Sequence, residues 1–420
     1  MTRFGPLRGR DFRILFAAEC VSVLGDALWP VAIAFAVLDL TGSASDLGLV
    51  LLANFVPRIA FMLAGGVWAD RITPQRMMIA SHLARFASQG LQGYLLVSGH
   101  ANIGTLVVLQ VARGTGSAFY RPAATGVVPR LVAREELQSA NALLWLAANA
   151  SSFLGPAIAG ALVATVGPGW AILGDSASFL VAAVLLATLP REQLPATTGR
   201  RSFRADLNEG WEAVRSRTWV WASICYFSCF QLVYLSSFSV LGPVVAKNAL
   251  GGAPAWAAIS SSGAAGAVIG SLAAYRVRPS RPLFTAFGVA GFGTVPSLLL
   301  LALAEPTAAI CAAEVFAGTA IGLSSALWET SLQAGIPTES LSRVASFDTM
   351  GSIALRPIGL ALVGPLMMYA GARATLLGSA AIVVAATTSI LAVPAIRRIR
   401  DGHEPPLDAS RAPLAVEISR

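Results

Sequence analysis

Long apolar stretches alternate with short polar loops along almost the whole chain, each stretch close to the roughly 20 residues a helix needs to cross hydrocarbon. In the first half they run over Ile14–Leu38, Leu47–Trp68, Met77–Val97, Ile103–Tyr120, Leu143–Val163 and Trp170–Leu189. A second set covers Val220–Val245, Trp256–Tyr275, Phe284–Ala304, Ala308–Leu327, Ser346–Tyr369 and Ala374–Pro394. Between the sets, the polar stretch Arg191–Arg217 breaks the rhythm, and its second part, Phe203–Val214, repeats apolar residues at helical spacing, which predicts a helix lying on the membrane surface. The pattern predicts an all-α membrane protein with twelve transmembrane helices in two six-helix bundles. Residues 1–190 make the first bundle, 191–218 the linker with its surface helix, 219–395 the second bundle and 396–420 a disordered tail.

Composition supports this reading and removes the alternatives. Of 420 residues, 55% are hydrophobic and only 12% charged, about half the charge of a soluble protein. Disorder needs low hydrophobicity, and the 39 glycines follow no collagen period. The net charge of +8 does not form a nucleic-acid surface, because the arginines sit in short loops between apolar segments. With the N-terminus inside, every loop cation except Lys247 and Arg373 falls on the cytoplasmic side, as the positive-inside rule asks. Both termini and the linker are therefore expected in the cytoplasm of a bacterium, with the chain in its inner membrane. Cys20, Cys225, Cys229 and Cys311 all lie in apolar segments and read as buried thiols. Cys225 and Cys229 share a helix face, but no His or further Cys completes a metal site.

The loop after the second span reads GVWADRITPQR. An acidic residue at the membrane edge can accept hydrogen bonds from a neighbouring helix N-terminus, and arginines beside it can pair across helices. Gly66, Asp70, Arg71 and Arg76 resemble the loop signature of the major facilitator superfamily, with Thr73 and Pro74 standing where Gly and Arg are usual. Arg113 and Gly116 in VARGTGSAFYRPA loosely resemble its fourth-helix motif. Gly155, Pro156 and Gly160 in FLGPAIAG are similar to a motif of its antiporters, where small residues and a proline permit close packing and a bend. Asn141 in NAL, Asp175 in DSASFL and the stretch QAGIPTESLSRVAS resemble the superfamily's branch of enterobactin exporters and macrolide efflux proteins. The second-half copy of the loop signature, YRVRPSRP, has lost its acidic residue. The resemblance implies two bundles around a central site lined by spans 1, 4, 7 and 10, with alternating access by rocking of the halves.

Ionisable groups inside the spans cost at least about 2.5 kcal/mol each and so call for a reason. Glu19, Asp26, Arg58, Arg85, Arg113, Asp175, Glu314 and Arg356 lie deep. Asp26 and Glu19 are seven apart and share one face of the first span. Two roles remain open for them: a permanent ion pair, for example Asp26 with Arg58 or Arg113, or a carboxylate that takes up and releases a proton as its surroundings change. Asp26, Glu19, Arg113 and Glu314 are the candidates for proton coupling. Trp29, Arg58, Tyr226, Phe230, Tyr234, Trp328 and Arg356 are candidates to line a cavity.

Together these features predict a secondary transporter that exports a small amphipathic molecule (a drug, antibiotic or siderophore-like compound) by proton antiport. An uptake carrier or uniporter is the alternative within the class. A membrane enzyme would need a clustered catalytic set, and no phosphate-binding loop of the G-x-x-x-x-G-K-[ST] kind occurs in the sequence. The expected partners are the substrate, protons and the bilayer, with the chain acting as a monomer and needing neither cofactor nor metal.

Overall fold

The computed structural model describes residues 5–69, 73–190 and 211–399. In the first half, α1 spans Arg10–Thr41, α2 Ala44–Ala69, α3 Pro74–Val97, α4 Ile103–Leu131, α5 Leu137–Thr165 and α6 Pro168–Ala187. In the second, α7 runs over Thr218–Leu250, α8 over Ala253–Ala273, α9 over Pro282–Ala302 and α10 over Thr307–Gly335. They are followed by α11 at Thr338–Ile353, α12 at Arg356–Ala392 and the short α13 at Pro394–Arg398. No strand occurs among the described residues.

Local sequence explains the ends. Pro74, Pro168, Pro254, Pro282 and Pro357 sit in the first turns of their helices, where the missing N–H costs nothing and φ is already helical. Asn102 caps α4 reciprocally with Thr105, each side chain meeting the other's backbone N–H at 3.0 and 3.1 Å. α1 stops at Gly42, which adopts φ 68°.

Nine helical stretches among the described residues are long and apolar enough to cross a membrane. Helices α3 and α4 are not among them, because each carries a stripe of polar side chains. One of the nine, Arg343–Ala392, is 50 residues long and is broken at Gly371, where φ is 82°. Ile396 and Ile399, within the stretch expected as a tail, are buried against the second half, and the rest of that stretch lies outside the described residues. Residues 191–210 of the linker, with most of the expected surface helix, lie outside the described residues; Val214 at its end is buried.

The helices pack as two sets. Within the first, α1 lies on α5 and α6, α2 on α4, and α3 on α4 and α6; within the second, α10 lies on α8 and α9, and α12 on α7 and α9. The sets meet chiefly along two seams, α5 with α8 and α2 with α12. Small residues make both seams possible. A Cβ at Gly160 would overlap the Ala257 methyl, one at Gly48 would strike the Leu360 carbonyl, and one at Gly364 would strike the Ser45 backbone.

The apolar cores show which end is closed. At the end away from the N-terminus, a single cluster joins Val31–Leu38, Leu47 and Ile172 of the first half to Val240, Leu241, Ile259, Leu298 and Leu360 of the second. Lys247 and Asp39 pair across the halves at this end at 2.6 Å. At the tail end each half has its own cluster, Phe12, Leu15, Met78 and Leu186 in one, Trp219, Phe287, Trp328 and Leu332 in the other. No core cluster joins the halves there among the described residues.

This arrangement has a direct test. With the four native cysteines changed to serine, Ser45→Cys with Met368→Cys should cross-link efficiently with a short bismaleimide, since the two side chains touch at 3.4 Å. The tail-side pair Arg76→Cys with Arg281→Cys should not cross-link under the same conditions.

Candidate functional site

Helix α3 turns its polar face inward. Ser81, His82, Arg85, Ser88, Gln89 and Gln92 are buried, while Leu83, Leu91 and Tyr94 are exposed. The spacing of three, four and three from His82 to Gln92 places one stripe on one side of a helix. In a bilayer this is the sensible orientation, since the outer face meets lipid and the inner face can find partners. Helix α4 does the same with Gln110 and Arg113, leaving Val108 and Val111 outside.

Four helices bring charges together at this stripe. Arg85 donates from Nη1 to Asp26 Oδ2 at 2.8 Å, and Arg113 donates from Nη2 to Asp26 Oδ1 at 2.6 Å. Asp175 on α6 lies 3.9 Å from the same Arg113 nitrogen and accepts from Gln89 Nε2 at 2.9 Å. Two carboxylates thus face two guanidiniums, and the set balances. The Asp26 side chain is 37% exposed whereas that of Asp175 is fully buried, so Asp26 is the member that solvent reaches. Gly25 is needed beside it, because a Cβ there would overlap Ser178 Oγ next to Asp175.

Neutral groups extend the network in both directions. Gln110 donates to Gln92 at 2.7 Å and accepts from Asn54 at 3.0 Å, which ties in α2. Arg85 also meets His82 Nδ1 at 2.9 Å and lies over the rings of Phe179 and Tyr120 at 4.1 and 4.7 Å. The Tyr120 hydroxyl donates to Glu19, which joins the second acidic residue of α1 to the same system. Arg113 lies over the Trp29 ring at 4.2 Å.

The other sequence candidates are distributed as follows. Arg113 is the Asp26 partner, together with Arg85, and Arg58 is not: it stands on α2 near Arg356. Glu314 lies in the second half, buried on α10, accepting from Ser297 Oγ, and it takes part in no ion pair among the described residues. Tyr226, Tyr234 and Trp328 are buried in the packing of the second half, and Phe230 is partly buried between Tyr226 and Tyr234, at 6.2 and 4.8 Å. Gly155 allows α5 to approach Ala27 of α1, and Gly160 allows it to approach α8. The motif thus joins the charged helix of one half to the other half. Pro156 lies between them inside α5. Gly66 falls near the end of α2 and Arg76 is exposed in the first turn of α3; Asp70 and Arg71 lie outside the described residues. The glutamines, Asn54, His82 and Tyr120 were not singled out by sequence, although the polar stripe of α3 is a signal for the first of them.

The model of the Major Facilitator Superfamily matches residues 15–359. The chain belongs to the major facilitator superfamily. Its members among curated proteins include the enterobactin exporter EntS of Citrobacter koseri, 27% identical over 96% of both chains. The macrolide efflux protein A of Streptococcus pyogenes is 25% identical over 62% of this chain, a match spanning 65% of that protein's length. Among solved structures, a bacterial homologue of the iron transporter ferroportin in its inward-facing state overlays with a TM-score of 0.69 at 17% identity, covering 90% of this chain and 99% of the other. The outward-facing state of such a homologue gives 0.58 at 18% identity over 91% and 98%. The family match and the curated relatives make it a membrane-embedded transporter of small molecules, not an enzyme, and the overlays show the fold alone.

Removing Asp175 should show what the network contributes to this superfamily member. Asp175→Ala leaves a buried guanidinium short of a partner, a change that typically costs about 3–5 kcal/mol. The melting temperature in detergent should fall markedly, and it should fall less for Asp175→Asn, which keeps an acceptor for Gln89. Equal melting temperatures for wild type and both variants would mean the network does not hold the helices.

Proposed function

We propose that the chain is a proton-driven exporter of a small amphipathic molecule in a bacterial inner membrane. It would act as a monomer, with both termini cytoplasmic and the halves divided near residues 191–218. Twelve passes follow if α3 and α4 each cross once and the stretch broken at Gly371 crosses twice. The excess of arginine on the tail side supports this orientation, and with it the present state is inward-facing.

The observation that carries the reading is the placement of Asp26. It sits near mid-depth on α1, partly open to solvent, between two arginines of which one also faces Asp175. In the inward-facing state its carboxylate is held by Arg85 and Arg113. Protonation removes the carboxylate charge, after which Arg113 has Asp175 as its remaining partner. A proton then favours one arrangement of α1, α3, α4 and α6 over another, which is what coupling requires. Export follows if the proton enters from outside, leaves to the cytoplasm, and substrate binds in the state so produced. The named activities of the enterobactin and macrolide relatives support export over uptake. Glu314, which has no ionic partner among the described residues, is the second candidate for a proton site in the other half. Asp70, Arg71 and Arg76 would form the tail-side gate that closes when the halves rock.

The test uses proteoliposomes with an imposed pH gradient. Asp26→Asn should abolish gradient-driven efflux while leaving equilibrium binding of substrate measurable. Glu314→Gln separates the two candidates, since efflux by it should persist if Asp26 alone carries the proton. Unimpaired efflux by Asp26→Asn would overturn the role given to Asp26.

A further inference from the structure

Two of the four arginines inside the spans take part in the network of the first half. The other two are placed differently. Arg356 begins α12, and its guanidinium lies over the Phe55 ring of α2 at 4.9 Å. Arg58 follows Phe55 by three residues, on the same face of α2, and is exposed. It stands near enough for its charge to repel that of Arg356. Each half of the molecule therefore presents one arginine at the same place, near the middle of its span.

No carboxylate acts on Arg356 among the described residues; Arg58 is the charge that does, and it has the same sign. The Arg356 Nε is buried and has no hydrogen-bond partner. A third helix closes the place. Helix α7 widens into a π-turn at Gln231–Leu235, a form often found where a helix serves a function. The Gln231 Oε1 there is buried without a partner as well. Ser236 Oγ reaches the Gln231 carbonyl at 2.9 Å and the Arg356 carbonyl at 3.4 Å, which fixes α12 against the turn. Gly359 permits that approach, since a Cβ would strike the Leu232 carbonyl. A guanidinium at mid-depth on which no carboxylate acts among the described residues, as for Arg356, is costly, and an anion held beside it removes the cost.

We propose that Arg58 and Arg356 form an anion site that holds a carboxylate, phosphate or sulfonate group between the two halves. The transported molecule is then an amphipathic anion or zwitterion, its apolar part lying along Phe55. This deepens the exporter reading and rests on it for the word transported. Because one arginine comes from each half, an anion held by both also links the halves as they rock.

The experiment measures binding at equilibrium, with no gradient, so that its result stands apart from export and proton coupling. The full chain is placed in phosphatidylcholine nanodiscs at low salt and titrated with dansylglycine, which carries a carboxylate, and with dansylcholine, which carries a quaternary ammonium. Dansylglycine should bind more tightly than dansylcholine. Arg58→Gln and Arg356→Gln should each weaken its binding about tenfold or more, with dansylcholine unchanged. Arg356→Lys, which keeps the charge, should retain part of the affinity and guards against loss through misfolding. If phosphatidylglycerol in the nanodisc displaces dansylglycine from the wild type, the anion is a lipid headgroup, and the assignment to the transported molecule is overturned. Equal affinity of wild type and both glutamine variants for dansylglycine, or no binding of it by wild type, would overturn the site altogether.

Discussion

The Asp26 carboxylate accepts from Arg85 at 2.8 Å and from Arg113 at 2.6 Å, and these two bonds fasten α1 to α3 and α4. Much of the first half follows from satisfying them. Arg113 needs a second acid, which α6 supplies as Asp175; Asp175 needs a donor, which α3 supplies as Gln89. The glutamines then need one another, and through Asn54 they reach α2. Charges that would be expensive singly in hydrocarbon become tolerable as a closed set, and the set orders five helices of the bundle. The second half has no counterpart among the described residues. It packs on aromatic rings, with Glu314 buried against a serine hydroxyl.

The halves are joined by different means. Their seams rest on small residues, Gly160 against α8 and Gly48 and Gly364 between α2 and α12, and on one apolar core at the end away from the tails. Apart from the Lys247–Asp39 pair, the Ser45–Met368 contact and Arg356 over Phe55, these contacts have no fixed partner geometry, unlike the charged network inside the first half. A rigid first half and a parting seam are the physical ingredients of rocking.

Much of this was legible in the sequence. The apolar runs located the helices because hydrocarbon demands an unbroken apolar length, and the motif residues Gly155 and Gly160 marked close helix approaches, though not which helices. Asp26 and Arg113 could be named as deep charges, but pairing depends on rotation about helix axes that spacing alone does not fix. Hence Arg85 emerged as a partner and Arg58 did not. The stripe His82, Arg85, Gln89, Gln92 was present in the letters; its meaning depended on which face meets lipid. Tyr226, Tyr234 and Trp328 could not be divided into lining and packing residues, since that depends on which end of the molecule is closed. The break at Gly371 was legible as a loop between two apolar runs, whereas the burial of Ile396 and Ile399 depends on packing against helices distant in sequence.

The central claim is that protonation of Asp26 changes which end of the molecule is open. Spin-label distances test it most directly, with one pair at the tail side (Arg76→Cys, Arg281→Cys) and one at the far side (His100→Cys, Ala308→Cys), each measured with and without Asp26→Asn as a mimic of the protonated state. The account predicts that Asp26→Asn shortens the tail-side distance and lengthens the far-side one, and that acidic pH moves the unsubstituted Asp26 protein the same way. Distance distributions that stay the same for both pairs, with and without the substitution, would contradict it.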